Sequence, residues 1–366
     1  MRNGWTETTL GEVAEVLDRY RRPVSAAERE KRLGDVPYYG ATGVAGWIDE
    51  ALFDEDLVLL GEDAIDFLNP QAAKAYQISG PSWVNNHAHV LRSRPEVALT
   101  TFLSESLNLV DYSQFTSYGT RSKLTQRSMM TITIALPPLV EQRRIVDVIE
   151  SVDTYINTLE TRASTARIAR SALLHELLSA GGEDWTETTL GEVATASWGN
   201  TSVTKKSYQE TGYTAFSASG PDGFVDWFEH DEPGVVLSAI GALCGKTWLA
   251  ADKWTPIKNT IWFRSKSNDC LSEFLFVATQ IPDVWPIRGQ AQPFISLGDV
   301  RGITIALPPL VEQRRIVDVI ESVDGAVAAA DAAAADARDL RSALLSDLLS
   351  GDHEIPESYD RFLGAA

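Results

Sequence analysis

A block of 22 residues stands twice in this chain without a single change: ITIALPPLVEQRRIVDVIESVD at Ile132–Asp153 and again at Ile303–Asp324, 171 positions later. An internal duplication constrains a fold more tightly than any local pattern, because it imposes a repeated supersecondary unit before single elements are assigned. Two shorter words accompany it. WTETTLGEVA at Trp5–Ala14 recurs identically at Trp185–Ala194, 180 positions on, and RSALLHELLS at Arg170–Ser179 returns as RSALLSDLLS at Arg341–Ser350, again displaced by 171. The stretches between the first word and the long block share no such identity and differ in length by nine residues. The chain thus alternates variable and constant parts: two different modules on two copies of one frame.

The constant part reads as helix. Pro137-Pro138 bars a preceding helix from continuing, and no proline or glycine follows from Leu139 through Ala180. Apolar or small residues recur at spacings of three and four, at Ile145, Val148, Val152, Tyr155, Leu159, Ala166, Ala169 and Leu173, with Arg162 as the one break. The second copy gives Ile316, Val319, Val323, Ala326, Ala330, Ala333, Ala337, Leu340 and Leu344, with Gly325 as its weak point. Such a stripe is a coiled-coil seam on a helix of about 40 residues, roughly 60 Å long. The expected partners are the two helices of one chain, antiparallel, with Tyr155 facing Ala333, Leu159 facing Ala330 and Arg162 facing Ala326, so that large side chains meet small ones. The variable parts hold short aromatic or β-branched runs broken by turns, and predict modules with mainly β cores. The fold class expected is α+β: two mixed α/β modules at 1–131 and 181–302, helical regions at 132–180 and 303–350, and a tail at 351–366.

Composition excludes several functions. No apolar run approaches the ~20 residues of a membrane span, and no signal segment opens the chain, so the cytoplasm is the expected compartment. Cys244 and Cys270 alone support neither a disulfide framework nor a structural zinc site. With 51 acidic against 32 basic residues and a net charge of −19, the chain is unsuited to a smeared coat on nucleic acid. GALCGKT at Gly241–Thr247 has the wrong glycine spacing for a phosphate-binding loop and leads into an apolar strand-like run. His87 and His89 suggest a metal pair but lack an evident third ligand, and structural placement is expected. Asn69-Pro70 is followed by glutamine, so no adenine-methyltransferase motif is present. The run Asp49–Asp66, with eight carboxylates and no basic residue, reads as a solvated outer face or a contact for a basic partner.

At its repeats the sequence resembles the DNA-specificity subunit of type I restriction–modification systems, over nearly the whole chain. The carrying motifs are W-x-x-x-x-L-G-E at Trp5–Glu12 and Trp185–Glu192, YYGATG at Tyr38–Gly43 with FSASG at Phe216–Gly220, and WVNNHAH at Trp83–His89, degraded to WTPIKNT at Trp254–Thr260. Glycine-led loops follow, SYGTRSKLTQ at Ser117–Gln126 and IRGQAQPFIS at Ile287–Ser296, and then the LPPLVEQRRIV junction, the most specific element. The resemblance implies a subunit without a catalytic centre, whose two domains read the two halves of a split DNA target while the helices set the spacing. It also implies two copies of a methyltransferase subunit, which carries S-adenosylmethionine and methylates adenine, and a restriction subunit using ATP and Mg where one is present. This chain itself would bind no cofactor and no metal.

Neither module is basic overall: residues 1–131 carry 13 basic and 18 acidic groups, and residues 179–302 carry 9 and 15. DNA contacts must therefore be local. In the first module they are expected at Arg21, Arg22, Tyr118, Gly119, Thr120, Arg121 and Lys123. In the second they are expected at Lys205, Lys206, Arg288, Gln290 and Gln292. Arginine on guanine and glutamine on adenine can each form two hydrogen bonds to a base edge, and lysines supply phosphate contacts. Methyltransferase docking is expected at Glu141, Arg143 and Arg144 and at Glu312, Arg314 and Arg315, the paired helix starts. The alternative is an acidic interaction protein on the same scaffold, mimicking DNA without reading it.

Overall fold

The computed structural model describes residues 4–69, 72–116, 123–351 and 353–363. The fold is α+β, and the chain divides into two compact units, residues 1–158 with 334–366 and residues 159–333. Each unit joins one β module to the start of one long helix and the end of the other. The helices run over Leu139–Ser179 and Leu310–Ser350. Among the described residues no helix is long and apolar enough to cross a membrane.

In the first unit, Thr6–Thr9 pairs antiparallel with Thr133–Leu136, directly before the first long helix. Thr9 and Glu12 then form a reciprocal capping box that starts the short helix Leu10–Val13. A four-stranded antiparallel sheet follows in the order Ala14–Val16, Ala88–Ser93, Leu57–Gly61, Ala75–Ile78. Its strand Leu57–Gly61 is buried throughout, which is why the sequence there is continuously apolar. A second sheet orders Gly43–Ile48, Val36–Gly40, Pro81–Val84 and Phe53–Asp54, with Val36–Gly40 parallel to Pro81–Val84.

The second unit repeats this plan. Thr186–Thr189 pairs with Thr304–Leu307 and carries the same capping box, Thr189 with Glu192. One sheet runs Ala194–Trp198, Thr260–Ser265, Gly234–Ser238, Thr247–Ala250, and the other runs Gly220–Val225, Tyr213–Ser217, Trp254–Pro256.

The duplicated junction does the same work in both units. Gln142 is fully buried, its amide donating to the Val97 and Pro137 carbonyls and its Oε1 accepting from the Leu99 amide, each at 2.9 Å. Gln313 repeats the arrangement with Asp269, Pro308 and Leu271 at 2.8–2.9 Å. Each glutamine thus ties a long helix to the loop that precedes a helix of its own β module.

The helices pair antiparallel within each unit. In the first, Ile145 and Ile149 share a core with Leu345 and Leu348, and Arg341 binds Asp153 and Glu105. In the second, Leu174 shares a core with Ile316 and Ile320, and Arg170 binds Asp324 and Gln280. These two arginines occupy equivalent positions of the repeat, so one ion pair is built twice.

The seam itself is shifted from the expected stripe. Tyr155 is 56% exposed and Leu340 60%, while Arg162 and Ala326 also face solvent. The buried positions are Ile145, Ile149, Ile156, Leu159, Ala163 and Leu174 on the first helix and Ile316, Ile320, Ala330, Ala334, Ala337, Leu345 and Leu348 on the second. Both apolar stripes share Ile145, Val152 and Leu159, and the branch through Ile149 and Ile156 buries more aliphatic surface without immersing Arg162. Gly325 is exposed, and a methyl group there would meet nothing within 4 Å. Gly325→Ala is therefore expected to stabilise the protein by about 0.5–1 kcal/mol, read as a raised denaturant midpoint with an unchanged slope.

Candidate nucleic-acid interface

The loops that close each β module are rooted in its central sheet. In the second unit, Arg288 and Phe294 exchange both backbone hydrogen bonds at 2.8 and 3.0 Å, closing a short hairpin. Gly289 turns its tip at φ +81°, where a Cβ would lie 2.6 Å from the Gln292 carbonyl oxygen. The hairpin is anchored by Ile295 N–H to the Ala239 carbonyl and by Gly241 N–H to the Pro293 carbonyl. Gln290 and Gln292 are exposed at its tip, flanked by Ile287 and Phe294, which stand 51% and 41% exposed. The Arg288 guanidinium reaches Asp299 at 2.5 Å yet remains on the surface. Beside the hairpin, Gly241–Thr247 is the turn between two antiparallel strands, not the entry to a helix, and offers Lys246 near the Trp248 ring. Lys205 and Lys206 belong elsewhere in the unit. Lys205 is ion-paired to Asp222 on the strand Gly220–Val225, and Lys206 is exposed. Asp222 also accepts from Tyr208 and Ser217; burial works to raise its carboxyl, but Lys205 and these hydroxyls hold it below the ordinary range.

In the first unit the equivalent loop includes Tyr118, Gly119, Thr120 and Arg121, which lie outside the described residues. Its described base is informative. Thr116 and Leu124 form a bridge, the Leu124 amide donates to the Glu62 carbonyl, and Lys123 pairs with the Glu62 carboxylate at 2.7 Å. Arg21 meets the other oxygen of that carboxylate at 2.6 Å and also donates to the Ala88 carbonyl. Two candidates 102 positions apart in sequence are thus brought together on one acid. Burial pushes the Glu62 carboxyl up, but the Lys123 ammonium, the Arg21 guanidinium and His89 together hold it below the usual range. Arg21, with its side chain only 14% exposed, is a structural cation of this module, whereas Arg22 is exposed.

The acidic run is also not the bare outer face expected from its composition. Asp49 and Glu50 bind Arg32, Glu55 binds Arg92, Asp63 binds His87, and Glu62 binds Arg21 and Lys123. Sequence reasoning missed these pairings because the partners lie 17 to 61 positions away.

The two helix starts differ in what they expose. Glu141 accepts from the Trp5 indole at 3.1 Å, and Arg143 faces solvent. Arg144 is only 8% exposed and makes a bidentate pair with Asp360 of the tail at 2.5 and 2.7 Å, beside a Tyr359–Asp147 hydrogen bond. In the second copy Arg315 pairs within its own helix with Glu312 and stays exposed, as does Arg314. Identical sequences therefore offer unequal surfaces among the described residues: Arg144 is covered by the tail, whereas Arg315 stays exposed.

A duplicated frame that carries two β modules of different sequence defines a two-unit scaffold. The chain belongs to the family described as the type I restriction modification DNA specificity domain, which matches residues 2–170 and again residues 182–330. It is similar, at 23% identity over 346 residues and 86% of each chain, to a Haemophilus influenzae protein named as a candidate type I restriction enzyme specificity subunit. Its fold resembles the crystal structure of the type I restriction–modification S subunit from M. genitalium, with a TM-score of 0.65 and 15% identity, covering 97% of this chain and 98% of that one. It also resembles a chain from a structure of complex assembly and conformational transition in the type I system, with a TM-score of 0.58 and 20% identity, covering 96% and 99%.

Proposed function

We propose that this chain reads a split DNA target, residues 1–131 recognising one half and residues 181–302 the other. The paired helices set the interval between the halves and dock two methyltransferase subunits. The observation that carries this reading is the contrast between frame and loops. The junctions are identical to the residue, while the loops they support differ in every group able to face a base: the segment ending at Lys123 in one module, Arg288, Gln290 and Gln292 in the other. Identical frames suit two copies of one partner, and different loops suit two different half-targets. S-adenosylmethionine would be bound by the partner, which would methylate an adenine in each half; ATP and Mg would belong to a restriction subunit. This chain's own part is to bind, to set register and to supply no catalytic centre.

Docking falls to the exposed part of the duplicated helix starts, Arg143 with Glu141 in the first copy and Arg314, Arg315 and Glu312 in the second. Arg144, committed to Asp360, contributes to the tail instead.

The net charge of −19 is the one feature favouring a DNA mimic. Against it, five of the eight carboxylates of the densest acidic run pair with side chains of their own module. Duplex binding measured across salt separates the two readings. A reader loses affinity linearly in log Kd against log salt, with a slope set by the phosphates it contacts. A mimic binds no duplex even at the lowest salt.

A further inference from the structure

His89 sits in the interior of the first unit at 1% exposure, with both ring nitrogens engaged. Nδ1 lies 2.6 Å from Asp18 Oδ2, and Nε2 lies 3.0 Å from the Leu124 carbonyl oxygen. A carbonyl oxygen has no hydrogen to give, so Nε2 must carry one. Asp18 also receives the Val90 amide at 2.9 Å on Oδ1 and the Arg21 guanidinium at 3.2 Å on Oδ2. Both of its oxygens thus accept from the protein, which fixes Asp18 against the ring. The charged groups around the ring are Asp18, Arg21, Glu62 at 3.9 Å and, through Glu62, Lys123.

Asp18, Glu62 and His89 also place their ligand atoms within 4.8 Å of one another, a spacing that would suit a metal ion. The carboxylate oxygens of Asp18 and Glu62 already accept from Arg21, Lys123 and the Val90 amide. The protein's own cations, Arg21 and Lys123, thus already sit against both carboxylates.

We infer that His89 is the positioning residue for the base of the first reading loop, held by Asp18 on one side and donating to the Leu124 carbonyl on the other. This role rests on the reading of Lys123 and its neighbours as DNA contacts. Three ties on Lys123 and Leu124 lead back to this group or to Glu62 beside it: Lys123 to the Glu62 carboxylate, Leu124 N–H to the Glu62 carbonyl, and the Leu124 carbonyl to His89. Backbone bonds to Ala239 and Gly241 hold the corresponding hairpin of the second unit, with no imidazole among them. The device belongs to one half of the molecule, so losing it should disturb one half-target.

The test uses the full chain. Nitrogen-15 correlation spectra of the wild-type imidazole should place a hydrogen on His89 Nε2; an Nε2 without one overturns the inference. In His89→Gln and Asp18→Asn, the Leu124 amide should exchange about tenfold faster, with the Ile295 amide unchanged. Duplex affinity should fall about tenfold, and altering the bases read by residues 1–131 should then cost nothing more. Folded variants with unaltered Leu124 exchange and unaltered affinity overturn it. If the wild-type chain binds no duplex, the DNA-reading function fails, while the Nε2 hydrogen and the amide exchange still decide the structural part of His89.

Discussion

Replacing Gln142 by leucine is expected to cost about 3–5 kcal/mol, and Gln313→Leu the same in the other unit. Leucine fills similar volume, so cavity formation is not the cause. The cost is that one amide nitrogen and two carbonyl oxygens lose this partner at once, the proline carbonyl being buried in each unit: Leu99, Val97 and Pro137 in one, Leu271, Asp269 and Pro308 in the other. Each such orphan costs about 1–3 kcal/mol, and the helix start loses its attachment to the β module. Chemical denaturation of each variant measures this. Gln142→Glu should do nearly as badly, because it replaces two donors with an acceptor or a buried charge. A loss under 1 kcal/mol in both leucine variants would mean that water replaces the amide and that the junction is not held as described.

The second large effect concerns the twice-built ion pair. Arg341→Met is expected to destabilise by about 2–3 kcal/mol, and Arg170→Met by about 1 kcal/mol less. Asp153, with Glu105, raises the Arg341 pKa well above its ordinary value, and removing the guanidinium leaves two carboxylates facing each other. Arg170 serves one carboxylate, Asp324, and the neutral Gln280, so its removal strands a single charge. Adding Glu105→Gln to Arg341→Met should restore about half of the loss. Equal losses for the two arginines would show that Glu105 adds nothing to the contact.

Much of this architecture was legible because identical words must build identical parts. The helix length, the antiparallel pairing within each unit and the mixed β modules follow from the repeat, the double proline and the glycine-free run. The seam was misplaced for a local reason. Between Ile145 and Ile156 two apolar stripes overlap, and in the alanine-rich second helix side-chain size no longer tells them apart. Gln142 carried a readable signal that was passed over: it lies three positions before Ile145, on the buried stripe, where an uncharged polar residue must find partners. The site was harder. Arg21 looks like any surface arginine until Asp18 and Glu62 converge on it, and nothing near it in sequence announces a contact made across 41 residues. Likewise, Arg144 and Arg315 are identical by sequence, and only the tail residue Asp360 makes them different.

The measurement that tests the central claim most directly is a single-molecule map of adenine methylation in the source cell, taken with this chain intact and with residues 1–131 exchanged for another such module. The intact chain should direct methylation to one split, asymmetric motif. The exchange should replace one half of that motif while leaving the other half and the interval between them unchanged. Methylation that ignores the exchange, or that changes in both halves together, would contradict the assignment of one half-target to each module.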